Sequence, residues 1–117
     1  MLVRNDIGAT GMRTSEVGIL RVYLTKGERE LNELMGFLRE KEEVRGFTIF
    51  RGVSGFGPSG QTHISDLSAS SLELPLVIEM FDEPGKIQRI MKHLCEKVKP
   101  GHMISWAAKI NVDGISE

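Results

Sequence analysis

The chain switches repeatedly between two hydrophobic periods. Residues 17–24 (VGILRVYL) run with period two. Leu20, Val22 and Leu24 share one face, and Ile19, Arg21 and Tyr23 the other, which predicts a strand. Residues 28–42 take up the helical period. Leu31, Leu34, Met35 and Leu38 follow the i, i+3, i+4, i+7 rule, with Glu28 and Glu30 in the first turn, where the helix dipole favours carboxylates. Thr25 is the predicted cap of this helix and Gly46 its end. Phe47, Thr48, Ile49 and Phe50 form a β-branched and aromatic strand that closes at Arg51. A third strand is predicted over 74–81 (LPLVIEMF), with Pro75 near its start, where proline is tolerated. Asp82 is positioned to cap a second helix, with Pro84 in its first turn and an apolar stripe of Ile87, Ile90, Met91, Leu94 and Val98. Pro100 and Gly101 stop it, and 103–110 (MISWAAKI) reads as the fourth strand.

This order, β-α-β, a long connection, then β-α-β, predicts an α+β class: a ferredoxin-like βαββαβ fold, a four-stranded antiparallel sheet with two helices on one face. The other face carries Ile19, Tyr23, Val77 and Phe81 beside Arg21 and Glu79, a mixture too apolar to be left to water. Packing against another subunit is the expected solution. Residues 52–73 sustain neither period, and a connection that long in a small domain is usually functional or disordered. Residues 1–16 are polar, contain Gly8 and Gly11, and are expected to form a flexible tail, leaving 17–117 as a single domain.

Composition narrows the function classes. A chain of 117 residues suits one domain and can bury a core without metals or disulfides. Its 15 basic and 16 acidic residues leave a net charge of −1, which weighs against nucleic acid as a partner. The single cysteine excludes an internal disulfide and fits a reducing compartment. No apolar run approaches a membrane span, and residues 1–16 hold no apolar signal centre, so a cytoplasmic location is expected.

The chemistry on offer centres on Arg51 and the glycines that follow it. Gly52, Gly55, Gly57 and Gly60 let a ligand approach bare backbone, and Arg51 sets five donors at the mouth of the loop. Residues 55–60 match G-x-G-x-x-G, and Glu79 lies at the expected acidic distance, but the motif must open a helix and residues 61–71 have no apolar stripe. No Gly-Lys-Ser/Thr follows, which removes the P-loop. A mobile hairpin explains the composition equally well. His63 and Asp66 are an acid–base pair by spacing, though a loop hydrogen bond is the commoner arrangement. His93 and Cys95, two apart on a helix, point to different faces and make a poor metal pair. Cys95 is expected to be a buried packing residue beside the apolar stripe, and Trp106 to be core or interface. No nucleophile–base–orienter set emerges, so no enzyme is indicated and no catalytic or metal-binding residue is assigned.

Residues 46–52 (GFTIFRG), Gly55-Phe56-Gly57, His63-Ile64-Ser65-Asp66 and 74–79 (LPLVIE) resemble the PII-like domain-of-unknown-function family DUF190, over roughly 17–110. The resemblance implies a ferredoxin-like homotrimer related to the PII signal-transduction proteins, which bind adenine nucleotides in clefts between subunits and present a long loop to partners. It implies that 52–73 is that loop and that an adenine mono- or diphosphate binds at its base. On this resemblance Arg51, Gly52, Gly55, Phe56 and Gly57 line the site, His63, Ser65 and Asp66 hold the return arm, and Gly101 faces the same cleft. The expected partner is a membrane transporter or an enzyme. Two departures stand out: residues 57–62 read GPSGQT where relatives tend to be basic, and the N-terminal tail is long. A small enzyme using the glycine loop as a nucleotide cofactor site, or a structural oligomer without ligand, remain alternatives from other classes.

Overall fold

The computed structural model describes residues 5–7, 11–24, 27–56, 62–64 and 75–115. In chain order the elements are β1 (Asn5–Ile7), β2 (Met12–Leu24), α1 (Glu28–Phe37) with a π-helical turn (Leu38–Glu42), β3 (Phe47–Arg51), β4 (Ser54–Phe56), β5 (Thr62–Ile64), β6 (Leu76–Asp82), α2 (Pro84–Leu94) and β7 (Met103–Ile115). The four core strands of the sheet run β3-β6-β2-β7, with the short β1 added to β2 as a fifth, antiparallel throughout, and both helices pack on one face. The four-stranded ferredoxin-like fold expected from the hydrophobic periods is therefore the one observed.

The period-two positions explain the layering. Leu20, Val22 and Leu24 of β2 and Leu76, Ile78 and Met80 of β6 are buried, together with Leu31, Leu34 and Leu38 from the first helical segment and Ile87, Ile90, Leu94 and Val98 from the second. Helix α2 crosses so close to β2 that a Cβ on Gly18 would lie 3.1 Å from Ile87 Cβ, which is why a glycine interrupts that strand.

Several expected boundaries move. Residues 12–16, expected from the sequence to lie in a flexible tail, belong to β2, and Asn5–Ile7 pairs antiparallel with residues 13–15 of that strand. The segment shows little alternation of its own because its order comes from neighbours: β7 pairs along one edge and β1 along the other. Strand β7 runs to Ile115 rather than Ile110 for the same reason, with Met12 opposite Ile115. Inside the long connection, Ser54–Phe56 and Thr62–Ile64 form a hairpin in which Gly55 pairs with His63. The third strand starts at Leu76, not Leu74.

The helix ends differ as well. The cap position of α1 is Gly27, with φ 74° and no side-chain cap; Thr25 lies outside the described residues. The first helical segment ends at Glu43, whose φ is 49°, instead of at Gly46. Glu83 occupies the cap position of α2, and Asp82 supports it from one residue upstream by accepting the Glu83 N–H at 2.8 Å. Cys95 is exposed, which corrects its expected burial. It follows Leu94 by one residue, about 100° around the helix, and so turns off the apolar stripe.

Two substitutions separate core from surface. Ile90→Ala, at a fully buried position, should lower unfolding free energy by about 3 kcal/mol in a denaturant titration. Cys95→Ala should stay within about 0.5 kcal/mol of the wild type.

Candidate functional site

The strand register defines one end of the sheet. Leu76, at the start of β6, pairs with Leu24 on one side and Arg51 on the other. Immediately beyond, the Gly52 N–H donates to the Pro75 carbonyl at 2.7 Å and closes the base of the long connection. A Cβ at Gly52 would lie 3.2 Å from the Pro75 ring, so a bare backbone is what permits this closure. The Arg51 guanidinium, half-exposed, pairs with the carboxylate of Glu28 in the first turn of α1.

Gly101 lies at the same end, with φ 84°, in the turn between α2 and β7. That turn is fastened to β2: the Tyr23 N–H donates to the His102 carbonyl at 2.8 Å, and His102 Nδ1 lies 3.3 Å from the Tyr23 carbonyl. Arg51 and Gly101 are nevertheless apart. With β6 and β2 between their strands, three strand spacings, or about 14 Å, separate them. A single chain thus joins Arg51 with Gly52 at the loop base and sets Gly55 opposite His63 in the hairpin, but leaves Gly101 on the far side of the sheet. Phe56 ends β4 opposite Thr62. Gly57, Ser65 and Asp66 lie outside the described residues.

Three groups escape sequence reasoning. The sequence presents Glu28 only as a helix-dipole residue, and nothing local announces its contact with Arg51, 23 residues away. On the open sheet face, Arg21 Nε donates to Glu79 Oε1 at 3.0 Å, and the Arg21 guanidinium lies 5.4 Å from the Trp106 ring centroid. Hydrogen bonding to Glu79, and secondarily to Tyr23, holds the Arg21 pKa above its already high ordinary value, so this cation is permanent. Around it Tyr23, Trp106, Ile104 and Phe50 are 39–48% exposed, an apolar surface with no helix over it.

The third group closes the opposite end of the sheet. The π-helical turn carries Glu42 inward, where it is buried and pairs with His93 Nδ1 of α2, with Arg89 Nε at 3.8 Å. Asp82, also buried, accepts from the Arg45 N–H at 3.0 Å, the Glu83 N–H at 2.8 Å and Lys86 Nζ at 3.2 Å. Burial, the largest single influence, pushes the Asp82 carboxyl up, but the Glu83 and Arg45 amides and the Lys86 ammonium together outweigh it, leaving the pKa below the usual value. Among the described residues no cluster of three or more His, Cys, Asp or Glu is arranged to hold a metal, and no helix is long and apolar enough to cross a membrane.

The ferredoxin-like fold is shared with solved structures. The fold matches CPII, a nitrogen regulatory PII-like protein from Thiomonas intermedia solved with ADP and bicarbonate bound, with a TM-score of 0.64 at 15% identity, over 86% of this chain and 92% of that one. It also matches a protein described as PII-like and signaling from Thermus thermophilus, with a TM-score of 0.55 at 16% identity, over 85% and 91% of the two chains. By sequence, residues 18–110 match DUF190, described as an uncharacterized ACR, and the chain belongs to that family. A UPF0166 protein of Methanocaldococcus jannaschii is 31% identical over 90 residues, 74% of this chain and 82% of that protein.

The Asp82 network makes a pH-dependent prediction. Because its folded pKa is lowered, Asp82 contributes stability that is complete above the ordinary carboxylate value of 3.8 and is lost as pH falls through the folded value. Asp82→Ala strands two backbone donors and an ammonium and should cost on the order of 3 kcal/mol at pH 7. Denaturation midpoints measured across pH should show the gap between wild type and variant narrowing below about pH 4.

Proposed function

We propose that the protein is a homotrimeric PII-like regulator that senses an adenine nucleotide, a mono- or diphosphate, in the cleft between two subunits. The connection of residues 52–73 carries the signal to a cytoplasmic partner, a membrane transporter or an enzyme. The observation that carries this reading is the separation, at one end of the sheet, of Arg51 at the end of β3 from Gly101 in the turn before β7, with β6 and β2 between those two strands. A neighbouring subunit that sets its β7 edge beside this chain's β3 edge completes a cleft that one chain cannot form.

In that cleft Arg51 offers a bidentate phosphate contact. The Gly52 N–H is already given to Pro75, so the anion-binding amides are those around Gly55, with Phe56, Gly57, His63, Ser65 and Asp66 as the further contacts of the loop. The fold shared with CPII, which was solved with ADP, supports the ligand class. Ligand binding changes what the loop presents, and that change is what a partner reads. The mechanism makes and breaks no bonds, so the protein acts as a regulator and not as an enzyme. The apolar open face, with Tyr23, Ile104 and Trp106, supports the trimer, because a second and third copy remove it from water.

Light scattering on the size-exclusion peak should give three times the 13.0 kDa chain mass, and Trp106→Asp should shift it to monomer. A wild-type monomer at micromolar concentration overturns the cleft. Calorimetry should give an ADP dissociation constant below about 1 mM, weakened about tenfold by Arg51→Ala. Tight binding indifferent to that substitution puts the site elsewhere, and a flavin or nicotinamide spectrum in the purified protein favours a cofactor-using enzyme.

A further inference from the structure

We propose that Glu28 is an internal latch on the loop base, occupying Arg51 until a ligand phosphate displaces it, and that it thereby selects for phosphorylated ligands. The inference rests on the nucleotide reading above and adds a regulatory residue that neither the glycine motif nor the family resemblance contains. The Arg51 guanidinium donates to the Glu28 carboxylate. Glu28 is held there by the start of α1: Gly27, with φ 74°, turns the chain into the helix, and the Leu31 N–H donates back to the Gly27 carbonyl at 3.1 Å. The N-terminal end of the helix also favours a carboxylate at this position.

A carboxylate and a phosphate compete for the same planar fork of donors. Both partners of the pair are partly open to solvent, at 40% and 33% side-chain exposure, so exchange needs no opening of the core. An uncharged nucleoside has nothing with which to displace Glu28, whereas a phosphate does. The exchange takes place directly before Gly52, the residue fastened to Pro75 at the base of the loop. Phosphate selection is thereby placed on one side chain at the loop base.

The test is calorimetry on the full-length protein with ADP and with adenosine, comparing wild type, Glu28→Gln, Arg51→Gln and the double variant, each checked for folding by thermal unfolding. Glu28→Ser serves as a second removal of the carboxylate. Glu28→Gln should bind ADP about three- to fivefold more tightly, the range an exposed ion pair supports, with adenosine unchanged. The gain should vanish on the Arg51→Gln background. Three results overturn the latch while leaving the nucleotide site intact: wild type binds ADP and Glu28→Gln binds no more tightly, adenosine gains equally, or the gain persists without Arg51. If neither wild type nor Glu28→Gln binds ADP at millimolar concentration, the nucleotide reading fails and the latch with it. Binding by Glu28→Gln alone supports the latch in its strongest form.

Discussion

The double pairing of β6 is the constraint on which the other elements depend. Its seven residues are bonded to β2 on one side and, over five of them, to β3 on the other. Leu76, Ile78 and Met80 point under the helices, and Val77, Glu79 and Phe81 point away. A slip of one residue would exchange these two sets, so the buried leucine, isoleucine and methionine enforce the register. That register sets Leu24, Leu76 and Arg51 in one row and Gly18 opposite Asp82 at the other end. The chemistry of the molecule is distributed between these two ends.

At the Arg51 end, groups converge around backbone that glycine leaves bare, and the ion pair there is half-open. At the Asp82 end the polar groups are buried and satisfied: Asp82 has two amides and an ammonium, and Glu42 has His93 and Arg89. The second arrangement ties the π-helical turn to α2 and closes the core, and removing one partner from such a network is far costlier than breaking an exposed pair. The same residue types therefore serve adaptable recognition at one end and fixed structure at the other, and burial is what distinguishes them.

The sheet's two faces are equally unlike. With both helices on one side, the opposite face lacks a layer that a compact domain normally supplies. It holds Tyr23, Ile104 and Trp106 around a charge pair satisfied within the chain, Arg21 with Glu79. A surface that brings its own counter-charge can be covered by apolar groups without stranding a cation. This is the physical link between the fold and the proposed assembly.

The hydrophobic periods alone determined the element order, the ferredoxin-like class, the buried residues of both strands and helices, and the mixed second face, because burial on one side of a strand or helix writes itself locally at intervals of two or 3.6. Arg51 and Gly52 were legible as the loop base, since a strand core ends there and glycines begin. Tertiary structure alone decided the rest. Residues 12–16 became strand only because β1 and β7 flank them, and Cys95 turned outward because one step around a helix leaves the stripe. Glu28 with Arg51, Arg21 with Glu79, and Glu42 with His93 join residues 23, 58 and 51 positions apart. Such pairs depend on how strands and helices register against one another, and no period within a single element encodes that.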